Sequence, residues 1–578
     1  MVQNDMIIQT MEKIKNLINT ALSDLKLPIT DFVVEHPNEI SHGDYSTNVA
    51  LILGKELNKN SKEIGEKLSL AIIETKNDFL EKVEVAGAGF INFFLSKEFL
   101  KDSLDQILQD DEKFGRDDKL AGKKIMVEYT DPNPFKEFHI GHLMSNTVGE
   151  AIAGLIEWSG AEVKRVNYQG DVGIHVANAI AFKLKENVSW NNAQDVGKSY
   201  TEGAKLFEKD EGFKKFTEEI NKKIYSGGYK EIQGAYDLGK KLTLADFDKI
   251  YKILGTKFDF YFFESDVASE GKRLVEKNTE GVFEKSEGAT IFRAEKLTPS
   301  LHTRVFINSH GIPTYEAKEL ALAKIKYDRY LYDISIVITA NEVNDYFNVV
   351  LKAMEYIYPE LKKKTKHVSH GVMRLPTGKM SSRGGSIVTA EWLIDEVAKK
   401  VKDKISQSNK KIENVDGLAK SIAVGAIKYS ILKQSPGKDI VFDLEKSLSF
   451  EGDSGPYLQY THARASSVIE QYNLNFNLIK EFKKERKNNT LEEQSNVTRL
   501  LYRFPEVVER ANTEHSPNLL VSYLLEIASA FNNFYAHNQI INPKDGGVST
   551  ERIAITKSVQ IVLRNGLKIL GIVAPYKM

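Results

Sequence analysis

The segment Ile125-Met-Val-Glu-Tyr-Thr-Asp-Pro-Asn-Pro-Phe-Lys-Glu-Phe-His-Ile-Gly-His142 limits the fold more than any other part of the chain. Ile125, Met126 and Val127 read as a buried strand, and Pro132 and Pro134 mark a turn. Val148, Ile152, Leu155 and Ile156 then recur at the i, i+4, i+7, i+8 spacing of one helical face. Strand, turn and helix start make one βα unit of a parallel sheet. The free N–H groups and the dipole at such a helix start favour an anion, phosphate above all. Gly141 has no Cβ to keep a nucleotide off the backbone. His139 and His142 flank it as donors to phosphate oxygens.

Apolar, β-rich runs alternate with helical patterns from about 120 to 400. Strands are expected at 124–129, 162–168, 303–308, 333–340 and 366–373. This alternation argues for a Rossmann-like, doubly wound parallel sheet in an α/β domain. Residues 184–290 are charged, lack the βα rhythm and read as helical insertions. Residues 1–115 form an N-terminal α/β domain. It opens on an amphipathic helix (Ile7, Met11, Ile14, Leu17, Ile18) and closes on a strand pair within Val83–Leu95. The charged stretch 109–119 reads as a linker. Beyond about 405 strand signals vanish. Leu520, Leu524, Ile527, Phe531 and Tyr535 mark one helical face, and Ile555, Val559, Val562, Leu563, Leu567 and Leu570 another. Residues 405–578 are expected to be an all-α bundle.

A chain of 578 residues needs several domains, because single cores stop growing at about 250–300 residues. A formal net charge of −1 neither favours nor opposes nucleic acid, since local basic patches suffice to hold RNA. The lack of cysteine excludes disulfides and thiolate metal sites. No apolar run reaches ~18 residues, and the N-terminus lacks the basic and apolar regions of a signal peptide. No membrane span is therefore expected, and a cytoplasmic location is.

Far downstream of the first segment, Lys379-Met-Ser-Ser-Arg383 lies in a loop bracketed by Gly378, Gly384 and Gly385. His139-Ile-Gly-His142 followed by this loop resembles the paired signature of the class I aminoacyl-tRNA synthetases. Asn167-Tyr-Gln-Gly-Asp-Val-Gly-Ile-His175, Ser449–Arg464 and the ending Asn565–Met578 are similar to segments of the arginyl-tRNA synthetases. The resemblance runs from Gly43-Asp-Tyr-Ser-Thr-Asn48 to the last residue. It implies an ATP-dependent arginine–tRNA ligase, with magnesium accompanying ATP, no structural metal, tRNA as partner, and a monomer. Cysteinyl and glutamyl enzymes fit less well, the first for lack of cysteine and both for the C-terminal tail. A tRNA-binding paralogue without catalysis is the remaining alternative.

The resemblance also implies roles for residues. His139, Gly141, His142, Val372, Met373 and Lys379 fall at the nucleotide, with Lys379, Ser382 and Arg383 in the catalytic loop. Ser382 stands where the commonest signature has lysine, and Lys136 is the expected substitute. Glu128, Asn133, Tyr315 and Glu319 are expected around arginine, and Glu264 is a further acidic candidate, with a surface carboxylate as the alternative. Glu319 stands where the family has aspartate, and Val343 where it often has glutamine. Phe90 and Asn92 match positions that read the tRNA D-loop. Phe531 and Tyr535 are candidates to stack on anticodon bases, with bundle core as the alternative for Phe531. Met578 matches a residue near the anticodon, and the basic run Lys480–Lys487 reads as a solvated loop.

Overall fold

The expected sheet is present as five parallel strands, with the carboxyl ends of its strands forming one edge. The computed structural model describes residues 10–75, 77–226, 230–376, 388–407, 413–473, 496–540 and 549–578. Ile7 of the expected first helix lies outside them, and the helix Thr10–Asp24 buries Ile14 and Ile18. In the N-terminal region β1 (Val34–Glu35), β2 (Tyr45–Thr47), β3 (Leu80–Ala86) and β4 (Phe90–Leu95) make an antiparallel sheet in the order β1-β2-β4-β3.

The central sheet contains β5 (Lys124–Glu128), β6 (Glu162–Gln169), β7 (Phe260–Phe263), β11 (Ile334–Ala340) and β12 (Thr365–His370). Their order is β12-β11-β5-β6-β7. Strand order reverses between β5 and β11, so the crevice beyond their carboxyl ends is the natural ligand position of an open α/β sheet. Helices cover both faces. Ile125 and Val127 pack with the helix Ile140–Trp158. Met126, Val166 and Tyr168 pack with Ala321 and Leu322 of the helix Tyr315–Arg329.

Three expectations need correction. The run 303–308 does form a strand, but not in the parallel sheet. As β10 (Thr303–Ile307) it joins β8 (Glu284–Ser286) and β9 (Ala289–Arg293) in a separate antiparallel sheet. Its outer half stays open to solvent, unlike a strand buried on both faces. Second, β7 lies inside the insertion read as helical. Third, strands do not vanish after 405, because β13 (Met373–Arg374) pairs in parallel with β14 (Ile440–Val441).

The stretch 109–119 is not a slack connection. Arg564 bonds Asp111 at 2.8 Å, and Asn565 Nδ2 donates to the carbonyls of Asp111 and Phe114. Phe114 is buried and stacks on Phe504, while Arg116 lies over the Trp158 ring. Asp111 is thus tied to the helical region, while Glu112, Lys113, Arg116, Asp118 and Lys119 remain exposed. That region is built from helices including Gly455–Asn473, Pro517–His537 and Thr550–Ile569. Gln459 and His462 of the first of these hold the chain end through the carbonyls of Val573 and Pro575 at 2.8 Å each.

Candidate active site

A cavity of about 400 Å³ opens at the switch point. Its lining includes Thr130 and Asp131 after β5, His139, Gly141 and His142 at the helix start, and Thr339 and Ala340 at the end of β11. Val372 and Met373 line the same cavity from beyond β12. The turn leading to it is held in unusual backbone geometry. Thr130, Asp131 and Phe135 have φ of 79°, 46° and 69°, a region that non-glycine residues rarely occupy. Tertiary bonds impose it: Thr130 N–H donates to Ser145, Asp131 accepts from the Tyr168 N–H, and Phe135 N–H donates to Thr243.

The two histidines cap the helix in a defined protonation state. Nδ1 of His139 accepts the Gly141 N–H at 3.1 Å, and Nδ1 of His142 accepts the His139 N–H at 3.2 Å. The rings stack with centroids 3.6 Å apart. Burial pushes His139 down to about 4, helped by the charge of Lys136. Burial, His139 and Lys136 hold His142 well below the usual range. Both rings are therefore neutral at pH 7, and with Nδ1 accepting, each carries its proton on Nε2. Gly141 serves this arrangement more directly than by leaving room for nucleotide. A Cβ there would meet His139 Cε1 at 2.9 Å.

The candidate arginine residues gather on the other face of the sheet. Glu128 pairs in register with Val166, and Tyr168 with Phe262. Alternation along strands places Glu128, Val166, Tyr168 and Phe262 on one face. Glu264 opens the helix that directly follows β7. The helix Tyr315–Arg329 lies over this face and brings Glu319. Two of the three carboxylates are already paired. Lys326 Nζ lies 2.6 Å from Glu128, and Lys318 Nζ 2.5 Å from Glu264, both pairs buried. Glu319 accepts from Tyr346 Oη at 3.3 Å and has no ion-pair partner among the described residues. Burial, then the charge of Glu128, pushes its carboxyl up to about 8 against the opposing pull of Lys326. Asn133 Oδ1 accepts the Gly170 N–H, and Tyr315 is exposed at the start of its helix, its ring 4.5 Å from Lys318 Nζ. Val343 ends the turn before the helix Asn344–Ile357, on which Tyr346 reaches Glu319.

Lys318, Lys326, Tyr346 and Tyr168 were not legible as site residues, although part of the signal was present. Tyr315, Glu319, Leu322 and Lys326 follow i, i+4, i+7, i+11 and share one helical face. Asp171 lies within the family-like segment Asn167–His175, but no role of its own was legible there. It is fully buried and accepts from Tyr236, Lys240 and both the N–H and hydroxyl of Ser265. It ties the turn after β6 to the helix that carries Glu264.

Lys136 is partly buried, with Nζ 5.1 Å from the centroid of the Tyr200 ring. Burial lowers its pKa, an effect that Glu264 opposes. Lys379, Ser382 and Arg383 fall outside the described residues, as does the run Lys480–Lys487. The chain just past that loop is joined to the first signature: Ile140 N–H donates to the Val388 carbonyl, and Ala390 N–H to that of Phe138. Among the tRNA candidates, Phe90 is exposed. Asn92 is 3% exposed, and its Oδ1 accepts from Ser46. Phe531 is buried core, whereas Tyr535 is 40% exposed, with the Arg464 guanidinium 5.2 Å from its ring. Met578 is partly buried against the helical core. Among the described residues no group of three or more His, Cys, Asp or Glu is arranged to hold a metal ion. No described helix is long and apolar enough to cross a membrane.

Comparison with known proteins bears on the whole chain. Residues 103–444 match the model of the catalytic domain of class I (R) tRNA synthetases. Residues 12–95 match the arginyl-tRNA synthetase N-terminal domain, and 458–578 the DALR anticodon-binding domain. An arginine–tRNA ligase of Clostridium kluyveri is 30% identical, covering 96% of this chain and 97% of its own. One of Halothermothrix orenii is 29% identical, covering 98% and 99%. The solved Thermus thermophilus arginyl-tRNA synthetase superposes with a TM-score of 0.78 at 24% identity, covering 98% of this chain and all of its own. That last match speaks to the fold.

Proposed function

The chain belongs to the class I arginyl-tRNA synthetase family, and from that premise we propose that it is an arginine–tRNA ligase acting through the two sites above. The observation that carries the reading is their adjacency. A helix N-terminus with two neutral, Nε2-protonated histidines faces the crevice at one side of β5. Three carboxylates suited to a guanidinium cluster around the carboxyl ends of β5 and β7.

ATP is the nucleotide, lying against His139, Gly141, His142, Val372 and Met373, and magnesium enters as part of the ATP complex. The arginine carboxylate attacks the α-phosphorus, pyrophosphate leaves, and arginyl-adenylate forms. Charge then grows on oxygens that the helix N–H groups and the Nε2–H donors meet without reorganisation. Lys136 takes the pyrophosphate contact that Ser382 cannot make, and Lys379 and Arg383 add positive charge to that step. The 3′-terminal ribose hydroxyl of tRNA next attacks the adenylate carbonyl, and AMP leaves. Glu128, Asn133, Glu264, Glu319 and Tyr315 bind arginine, whose planar fork of donors suits carboxylate acceptors.

We assign residues 1–115 to the tRNA D-loop, with exposed Phe90 as its contact, 120–400 to catalysis, and 405–578 to the anticodon, with Tyr535 and Met578 nearest it. The enzyme works as a cytoplasmic monomer, and activation requires bound tRNA. ATP–pyrophosphate exchange with purified protein, with and without tRNA, tests the proposal. Exchange with arginine that needs tRNA supports it. Charging of another amino acid, or none with arginine, refutes it.

A further inference from the structure

Tyr168 stands at the centre of the carboxylate cluster, and nothing in the assignment above uses it. Its strand, β6, lies between β5, which ends in Glu128, and β7, which leads into Glu264. Its ring packs beneath Ala321 and Leu322 of the helix that carries Glu319. Neighbours on both sides and overhead thus each supply one acid. The side chain is 8% exposed, and its hydroxyl has no hydrogen-bond partner among the described residues. A buried hydroxyl without a partner is unfavourable unless something else meets it. Burial and then the charges of Glu264, Glu319 and Glu128 push the phenol well above its usual range, so it stays protonated.

We propose that Tyr168 Oη is a specificity-determining contact of the amino-acid pocket, accepting an N–H of the substrate guanidinium while donating its own hydrogen to one of the surrounding carboxylates. This rests on the arginine–tRNA ligase reading. A phenol accepts and donates at once, which suits a position between a donor-only cation and acceptor-only acids. A guanidinium offers five N–H donors in one plane. Glu128 and Glu264 each have an oxygen engaged by lysine, so carboxylates alone leave part of that fork unmet. A pocket that counts on a polar partner discriminates strongly against molecules that fail to satisfy it. The hydroxyl therefore adds to the selection of a guanidinium over the compact ammonium of lysine.

Tyr168→Phe removes one oxygen and keeps the ring. The expected result is a rise of about tenfold or more in the arginine KM. The ATP KM should stay within twofold, kcat nearly unchanged, and thermal stability equal or higher, since an unmet polar group is gone. Discrimination between arginine and lysine, measured as the ratio of kcat/KM values, should fall in parallel. An unchanged arginine KM overturns the inference, whatever happens to stability. A lower Tm with equal loss for ATP and arginine also overturns it, because it marks a packing role. Failure of the wild type to charge tRNA with arginine would instead refute the underlying function, so the two failures are distinguishable.

Discussion

Glu319 gives the site a pH dependence that can be measured directly. Its carboxyl is pushed up to about 8 by burial and by the neighbouring charge of Glu128. At pH 7 about one empty pocket in ten then carries the charge that a guanidinium needs, and the rest must first lose a proton. The apparent dissociation constant scales as one plus the ratio of protonated to ionised acid. Affinity should therefore rise about 50-fold between pH 6 and 8, roughly 2.3 kcal/mol at 1.36 kcal/mol per pKa unit, and level off above 8. His139 is pushed down to about 4 and stays neutral throughout this window, so it does not contribute. Calorimetry of arginine binding in buffers of different ionisation heat reads the proton directly. Close to one should be released at pH 6.5, and about a quarter at pH 8.5. Glu319→Gln should bind weakly at every pH, with no proton release. The stability sign is opposite to that of an ordinary paired acid. The folded state holds this proton more tightly than the unfolded chain, so stability falls as pH rises from the unfolded carboxylate range through 8. Glu319→Gln should thus be the more stable protein at pH 8.5, with its advantage fading toward pH 4.5. Affinity independent of pH from 6 to 9, with no proton exchanged, would refute the assignment of Glu319 as the ionising acceptor.

Lys136→Ala should slow tRNA-dependent pyrophosphate exchange by ~10²-fold with little change in arginine binding, as expected for a donor that acts on developing phosphate charge; wild-type turnover would make it a surface lysine. Gly141→Ala, normally favourable within a helix, should raise the ATP KM about tenfold, because the new Cβ forces the His139 ring away from His142; unchanged ATP kinetics would separate the stacked rings from phosphate binding. In the helical region, Tyr535→Ala should weaken tRNA binding and leave the Tm unchanged, whereas Phe531→Ala should cost roughly 3–5 kcal/mol of stability. Filter binding and thermal melts of both variants check this pair, and equal effects would erase the distinction between core and exposed aromatic.

What was legible in the sequence is what local pattern encodes. The strand, turn and helix around Glu128–His142 are contiguous, so spacing alone gave the unit and the position of both histidines. Pattern could not say which strands are neighbours. The runs at 303–308 and 333–340 look alike as apolar β segments, yet one completes a small antiparallel sheet and the other lies beside β5. The four-residue strand Phe260–Phe263 was hidden for a different reason: it is too short to show a period, and helices flank it.

The acids of the candidate pocket make the same point about chemistry. In the sequence the resemblance sets Glu128 and Glu319 at the arginine and leaves Glu264 as a further acid, but it does not say which of them is paired. Their differences arise from two lysines on one helix. Lys318 points to Glu264 and Lys326 to Glu128, contacts 54 and 198 residues apart along the chain. Removing either partner of such a buried pair leaves an uncompensated charge, so these pairs fix two acids in place. Glu319 lies between the two lysines on that helix and is paired with neither. The acid left over is therefore the one whose charge state an incoming guanidinium can change. That selection is made by which side chains the sheet and helix bring together, and no window of sequence contains it.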